Sequence, residues 1–187
     1  MSDLVHNMYW LWEGALSKEF CRSALEQVNW ATCEPASVRQ NDNEIIDTKT
    51  RRTDVIWQGP LQPLGCIAKA YIDIANQSAG WGYTLNTQED TQIGRYKSAD
   101  EGYYDWHMDA SHPQNGLQRK LSISILLSDP SEFEGGELQL KGIEDRKILT
   151  KQGSIVVFPS FIEHRVTPVT KGVRYSAVTW VIGPSFR

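Results

Sequence analysis

The sequence predicts an α+β protein in which helices pack outside a β-barrel or double-sheet jelly roll. Three features carry that prediction. Residues up to about 85 hold two amphipathic helices, the chain from Thr91 onward breaks into short apolar or alternating runs, and turn residues separate those runs. A length of 187 residues is about one domain's worth. With 40% hydrophobic residues, 14 glycines and 8 prolines, the composition excludes a disordered or collagen-like chain. The expected organisation is one domain over 1–187, with helical support over about 1–85 and a β-barrel core over about 91–183.

The first helix spans Ser17 to Val28. Ser17 is a capping residue, Glu19 an early acid, and Phe20, Ala24, Leu25 and Val28 form the apolar stripe. The second runs from about Leu64 to Asn76, with Pro63 near its start and Ile67, Ala68, Tyr71, Ile72 and Ala75 on one side. Between them, Glu34 to Thr50 is polar and turn-rich and reads as a mobile loop, followed by a short strand at Thr53–Trp57. The later strands are expected at Thr91–Tyr96, Leu121–Leu127, Glu137–Leu140, Ser154–Phe158 and Arg174–Ile182.

A net charge of −4 gives no broad attraction to phosphate backbones or anionic bilayers, so nucleic acid and membranes are not the expected partners. Cys21, Cys33 and Cys66 are an odd set without CxxC spacing and read as reduced thiols. No apolar run reaches the ~18–20 residues of a membrane span, and Met1 to Trp12 lacks a basic-then-apolar leader. The reading is a soluble cytoplasmic protein whose oligomeric state the sequence does not set.

Four histidines occur: His6, His107, His112 and His164. His107-Met-Asp109 places an imidazole and a carboxylate two apart, a spacing that on a strand directs both to one face. His164, beyond the Ser154–Phe158 strand, offers a third donor. Two imidazoles and one carboxylate form the facial set of non-haem Fe(II) oxygenases. Each residue also has a plainer reading, as a surface histidine beside a turn aspartate and a structural histidine; His6 and His112 are read only in that way. Arg174 shifts the balance. It belongs to an apolar strand with Tyr175, Ala177, Val178 and Trp180, and a buried guanidinium needs an anion. That anion is either an internal Asp or Glu or a bound dicarboxylate gripped through two hydrogen bonds. The iron and the dicarboxylate meet in one ligand, 2-oxoglutarate.

His107-Met-Asp109, then His164, then Arg174 resembles the pattern of the 2-oxoglutarate/Fe(II)-dependent dioxygenase superfamily, and within it the prolyl 4-hydroxylase-like branch of small microbial and viral type. Tyr103-Tyr-Asp-Trp-His107, Glu134-Gly-Gly-Glu-Leu138, Gly153–Pro159, Arg174–Trp180 and Arg51–Trp57 are similar to that family's stretches. The resemblance covers about residues 50–182 and implies a double-stranded β-helix, cupin-like core. It implies Fe(II) on His107, Asp109 and His164, and O2 and 2-oxoglutarate as cosubstrates. Arg174 would meet the cosubstrate near Tyr96, Tyr104, Thr179 and Trp180, and ascorbate would serve as reductant. The implied reaction decarboxylates 2-oxoglutarate to succinate and CO2 and hydroxylates an unactivated C–H bond, of a prolyl residue in a protein or peptide or of a free amino acid or other small molecule. A non-catalytic barrel that binds without turnover is a third reading. DNA and RNA demethylases of this superfamily carry a second arginine six residues after the first, where this chain has Trp180, and halogenases carry a small residue at the Asp109 position. By the same resemblance Arg52, Asp54 and Trp57 line a peptide groove; residues 34–50 read as its lid or equally as an exposed connector, and Trp57 is equally a core residue. Of the other tryptophans, Trp106 stands out as the neighbour of a proposed ligand.

Overall fold

A computed structural model describes residues 7–40, 43–110 and 113–186 of the chain, so His6 and His112 lie outside the described residues. The strands run in chain order as β1 (Trp10–Trp12), β2 (Glu34–Pro35), β3 (Val38–Gln40), β4 (Asn43–Ile45), β5 (Arg51–Arg52), β6 (Asp54–Gln58), β7 (Thr87–Gln88) and β8 (Thr91–Lys97). They continue as β9 (Tyr103–His107), β10 (Leu117–Leu126), β11 (Phe133–Gly135), β12 (Leu138–Leu140), β13 (Ile155–Pro159), β14 (His164–Val166) and β15 (Val169–Pro184). Two α-helices interrupt the series, α1 (Lys18–Glu26) and α2 (Pro63–Ser78).

Both helices begin where local chemistry sets them. The Ser17 hydroxyl accepts the Phe20 amide at 3.1 Å, and Glu19 lies in the first turn of α1. Pro63 opens α2, where its missing N–H costs nothing. Leu64, Ala68, Ile72 and Ala75 then face inward from α2.

Among the described residues the strands build two main antiparallel sheets and a separate two-stranded one, β3-β4. The larger follows the order β1-β13-β10-β15-β8-β6-β2, with β7 and β11 pairing onto β15; the smaller follows β12-β14-β9-β5. This is the expected jelly-roll arrangement with outside helices. The first 85 residues, however, supply strands as well as support. β1, β2 and β6 extend the larger sheet, and β5 closes one side of the smaller. Residues 34–50 are likewise not a plain connector, since β2 pairs with β6 and β3 with β4.

Alternation along the larger sheet separates two environments. Leu121, Ile125, Ile155, Val157, Ala177 and Val181 pack with Cys21, Leu64, Ala68 and Ile72 of the helices. Each fully buried Leu or Ile contributes roughly 1.5–3 kcal/mol relative to exposure, which holds the helices on the sheet. A second cluster contains Leu138, Leu140, Ile148, Val156, Phe158, Val166 and Val169. Ser122, Ser124, Arg174, Ser176, Val178 and Trp180 instead face a cavity of about 690 Å³. No helix among the described residues is long and apolar enough to cross a membrane.

Candidate active site

Two neighbouring strands of the smaller sheet supply the histidines. His164 opens β14 and pairs in register with His107, the last residue of β9. Asp109 is not on the strand, as the two-residue spacing suggested, but in the bend just beyond it. The bend still returns its carboxylate to the histidines: Oδ1 lies 3.8 Å from His107 Nε2, and Oδ2 lies 3.4 Å from His164 Nε2. One donor atom from each of the three residues falls within 4.8 Å of the others.

A β-bulge produces this convergence. Val166 pairs with Tyr104, so between the paired positions one residue of β14, Arg165, faces two of β9. Asp105 and Trp106 take up the extra length. Trp106 turns outward, with the Lys141 and Arg165 cations each 4.7 Å from its ring, and takes no part in the site. Tyr104 and His107 consequently share the inner face, and their rings stack at 3.4 Å.

Backbone carbonyls set the imidazole tautomers. His107 Nδ1 lies 2.7 Å from the Asp105 carbonyl oxygen, and His164 Nδ1 lies 3.0 Å from that of Ile162. An Nδ1–H donating to each carbonyl leaves both Nε2 lone pairs aimed at the common point. Burial, with His164 alongside, pushes the His107 imidazole down to about 3, so it is neutral and able to ligate at pH 7. Burial alone would raise the Asp109 carboxyl. His164, His107, Arg119 and the Ser122 hydroxyl outweigh it and hold the acid at about 2. A neutral imidazole beside an ionised carboxylate is a metal-ligating state. Two nitrogens and one oxygen on one side of a common point fit Fe(II), with the remaining positions open for cosubstrates.

Sequence reasoning missed the support beneath Asp109. Ser122 Oγ donates to Asp109 Oδ2 at 2.7 Å and lies 2.9 Å from Ser160 Oγ. The alternation of Leu121-Ser-Ile-Ser-Ile125, small polar residues among large apolar ones, was the available signal. Ser122→Ala frees the carboxylate to rotate, and the expected result is an Fe(II) affinity ~10–100-fold weaker, read by anaerobic metal titration. An unchanged affinity would remove Ser122 from the site.

Arg174 lies within β15, five residues after its start rather than at its beginning, and is 1% exposed. Its Nη1 donates to Ser176 Oγ at 3.0 Å, and its guanidinium lies 5.3 Å from the Tyr96 ring centroid. Among the described residues no carboxylate comes within the 4.0 Å of an ion pair with Arg174. Burial pulls the group below its ordinary range, with only Tyr96 opposing. Gly-Gly at 135–136 makes room for it. A Cβ on Gly136 would stand 2.7 Å from Arg174 Cδ, and one on Gly135 would stand 2.1 Å from the Pro168 carbonyl oxygen.

Tyr96, Tyr104, Trp180 and Trp57 line the same cavity. Burial pushes the Tyr104 hydroxyl up to about 12. Three expected neighbours do not reach it. Thr179 has the opposite parity to Arg174 on β15, and its hydroxyl donates to the Glu89 carbonyl at 2.9 Å. Arg52 turns outward to Glu101 at 2.9 Å, while Arg51 takes the inner face. Asp54 forms ion pairs with Arg95 at 2.7 Å and Lys97 at 3.1 Å on the outer side. Arg119 is a further lining residue, held by Glu89 at 2.5 Å with its guanidinium 3.7 Å from the Trp180 ring.

Comparison with known proteins agrees with this geometry. Residues 91–182 match the family model of the 2OG-Fe(II) oxygenase superfamily. The PKHD-type hydroxylase YbiX of Escherichia coli is 30% identical over 169 residues, covering 86% of this chain and 70% of that protein. The viral collagen prolyl hydroxylase of Paramecium bursaria Chlorella virus-1, solved with 2OG, has a TM-score of 0.72 at 22% identity over 95% of this chain and 97% of its own. A prolyl hydroxylase from Trichoplax adhaerens, solved with a hypoxia inducible factor peptide fragment, has a TM-score of 0.67 at 19% identity, covering 94% and 83%. The triad fits the iron these names imply, with 2-oxoglutarate and O2 as cosubstrates. By its sequence match and its donor set, the chain belongs to the 2OG-Fe(II) oxygenase superfamily and is a 2-oxoglutarate-dependent dioxygenase.

Proposed function

We propose that the protein hydroxylates prolyl residues of a protein or peptide and couples this to decarboxylation of 2-oxoglutarate to succinate and CO2. The observation that carries the reading is Arg174, a fully buried cation with no carboxylate partner among the described residues, lining the same cavity as His107, Asp109 and His164. A dicarboxylate held at both ends satisfies both halves of that arrangement.

His107, Asp109 and His164 would hold Fe(II), which when bound supplies the O2 activation that side chains cannot. Arg174, oriented by Ser176, receives the far carboxylate of 2-oxoglutarate through charge-assisted hydrogen bonds. Phe158, Leu138 and Val166 wall this part of the cavity with apolar surface and keep water from the reacting atoms. The substrate enters past Trp57 and Met108, which are 43% and 57% exposed and lie on the cavity wall. Exposed apolar side chains at an opening suit a pyrrolidine ring. Ser37, Val38, Asp47 and Thr50 border the same cavity, so these four flank the groove. The prolyl hydroxylase names of the structural neighbours, one of them bound to a peptide, support this substrate class.

The test is one aerobic incubation with Fe(II), 2-oxoglutarate and a pool of proline-containing peptides, following succinate and peptide mass. Succinate released one-for-one with oxygen added to proline is the expected result. Succinate without oxygen on any peptide would overturn the prolyl assignment, and metal-loaded protein that releases none would overturn the coupled reaction.

A further inference from the structure

The cavity contains a second buried cation that the iron and 2-oxoglutarate leave unused. Arg51 is 8% exposed, lines the cavity and pairs across strands with Tyr104. Its guanidinium lies 4.5 Å from the Tyr104 ring centroid, and His107 stacks on that ring at 3.4 Å. The two cannot share one face, so a single ring separates Arg51 from a metal ligand. One Nη donates to Gln92 Oε1, and the other reaches the Ser37 carbonyl at 3.4 Å. Its Nε–H finds no acceptor.

None of these partners carries charge, and among the described residues no carboxylate lies within 4.0 Å of Arg51. The neighbouring cations differ. Arg119 is paired with Glu89, Arg95 and Lys97 with Asp54, and Arg52 with Glu101. Asp47 borders the cavity, but its carboxylate accepts from Thr50 Oγ1 and the Lys49 amide and is open to solvent. A loaded iron centre does not neutralise Arg51 either. Fe(II), Asp109, Arg174 and the 2-oxoglutarate dianion balance one another. The uncompensated guanidinium is a cost that an incoming anion removes.

We propose that Arg51 receives a carboxylate of the substrate, so that the preferred target proline has an acidic group beside it. That group is either the C-terminal carboxylate of a terminal proline or the side chain of an adjacent Asp or Glu. The assignment rests on the prolyl reading and names the substrate's charge.

Two peptide pairs test it: one ending in proline as free acid or amide, the other internal with Glu or Gln next to proline. In the wild-type protein the acidic member of at least one pair should exceed its neutral partner ~tenfold or more in kcat/KM. The pair that discriminates identifies the source of the carboxylate. R51Q should abolish the preference and R51K retain part of it. Anaerobic calorimetry on protein loaded with Mn(II) and 2-oxoglutarate should give the same preference in Kd. Equal kcat/KM and Kd within both wild-type pairs would overturn the proposal without any variant. R51Q losing acidic and neutral substrates alike would overturn it in favour of a structural role, and R51Q raising the 2-oxoglutarate requirement would assign the cation to the cosubstrate. If no proline is oxidised, the prolyl reading fails, and the calorimetric pairs still decide Arg51: a retained acidic preference upholds it, and equal affinities overturn it.

Discussion

Replacing His107 or Asp109 with alanine is expected to take succinate production below detection while the chain stays folded. Three donors converge on one point, and among the described residues no other His, Cys, Asp or Glu joins them. Two remaining ligands cannot define the facial set on which iron binding and cosubstrate orientation depend. The fold should survive because neither side chain belongs to the apolar clusters that join helices and sheets. Asp109→Ala leaves Ser122 with Ser160 as a hydrogen-bond partner, so no hydroxyl is stranded. Metal content after anaerobic Fe(II) loading, succinate release and a thermal melt check the three parts together. Wild-type succinate from either variant would remove the triad from the mechanism.

Arg174 should give effects of opposite sign on activity and stability. Arg174→Met loses the charge-assisted contacts to the distal carboxylate. Truncating one partner of a buried charged pair costs about 2–5 kcal/mol, which places the rise in 2-oxoglutarate requirement at roughly 30-fold to several thousandfold. Without ligand the same arginine is a buried cation among a serine, a tyrosine ring and apolar walls. Replacing such a charge with an apolar side chain of similar volume is often neutral or stabilising by about 1–4 kcal/mol. The ligand-free variant should therefore melt at or above the wild-type temperature, and added 2-oxoglutarate should raise only the wild type's. A variant that melts lower without ligand and keeps its 2-oxoglutarate requirement would show Arg174 to be structural.

Much of the fold and site is legible in the sequence because the signals are local. Ser17 and Pro63 mark helix starts by capping chemistry, and the β runs alternate in ways that carry through to the sheets. His107, Asp109, His164 and Arg174 stand out because those residue types have few joint explanations at that order and spacing. What was misplaced was a matter of parity. Thr179 lies an odd number of residues from Arg174 on one strand, so both cannot face the cavity. Arg52 and Asp54 have the opposite parity to Trp57, and both point outward, whereas Arg51 shares its parity and lines the cavity. A two-residue strand such as β5 gives no run in which to count alternation. Ser122 and Gln92 act through partners that precede them by 13 and 41 residues, Asp109 and Arg51; alternation marks the face on which Ser122 lies but does not name its partner.

The extra residue in β9 has a consequence for how this chain can vary. Strands commonly tolerate changes of side chain and seldom changes of length, and here the length itself carries the chemistry. Losing one codon at 105 or 106 would give a strand with better-matched hydrogen bonding. Tyr104 and His107 would then stand two residues apart and still share the inner face, but the carbonyl two residues before His107, which now holds its Nδ1 at 2.7 Å, would be Tyr104's and no longer Asp105's. The extra residue between Tyr104 and His107 thus serves the hydrogen bond that sets the imidazole's tautomer and not the stability of the sheet. A homologue can replace both intervening side chains and keep that carbonyl, whereas dropping either residue changes which carbonyl lies beneath His107.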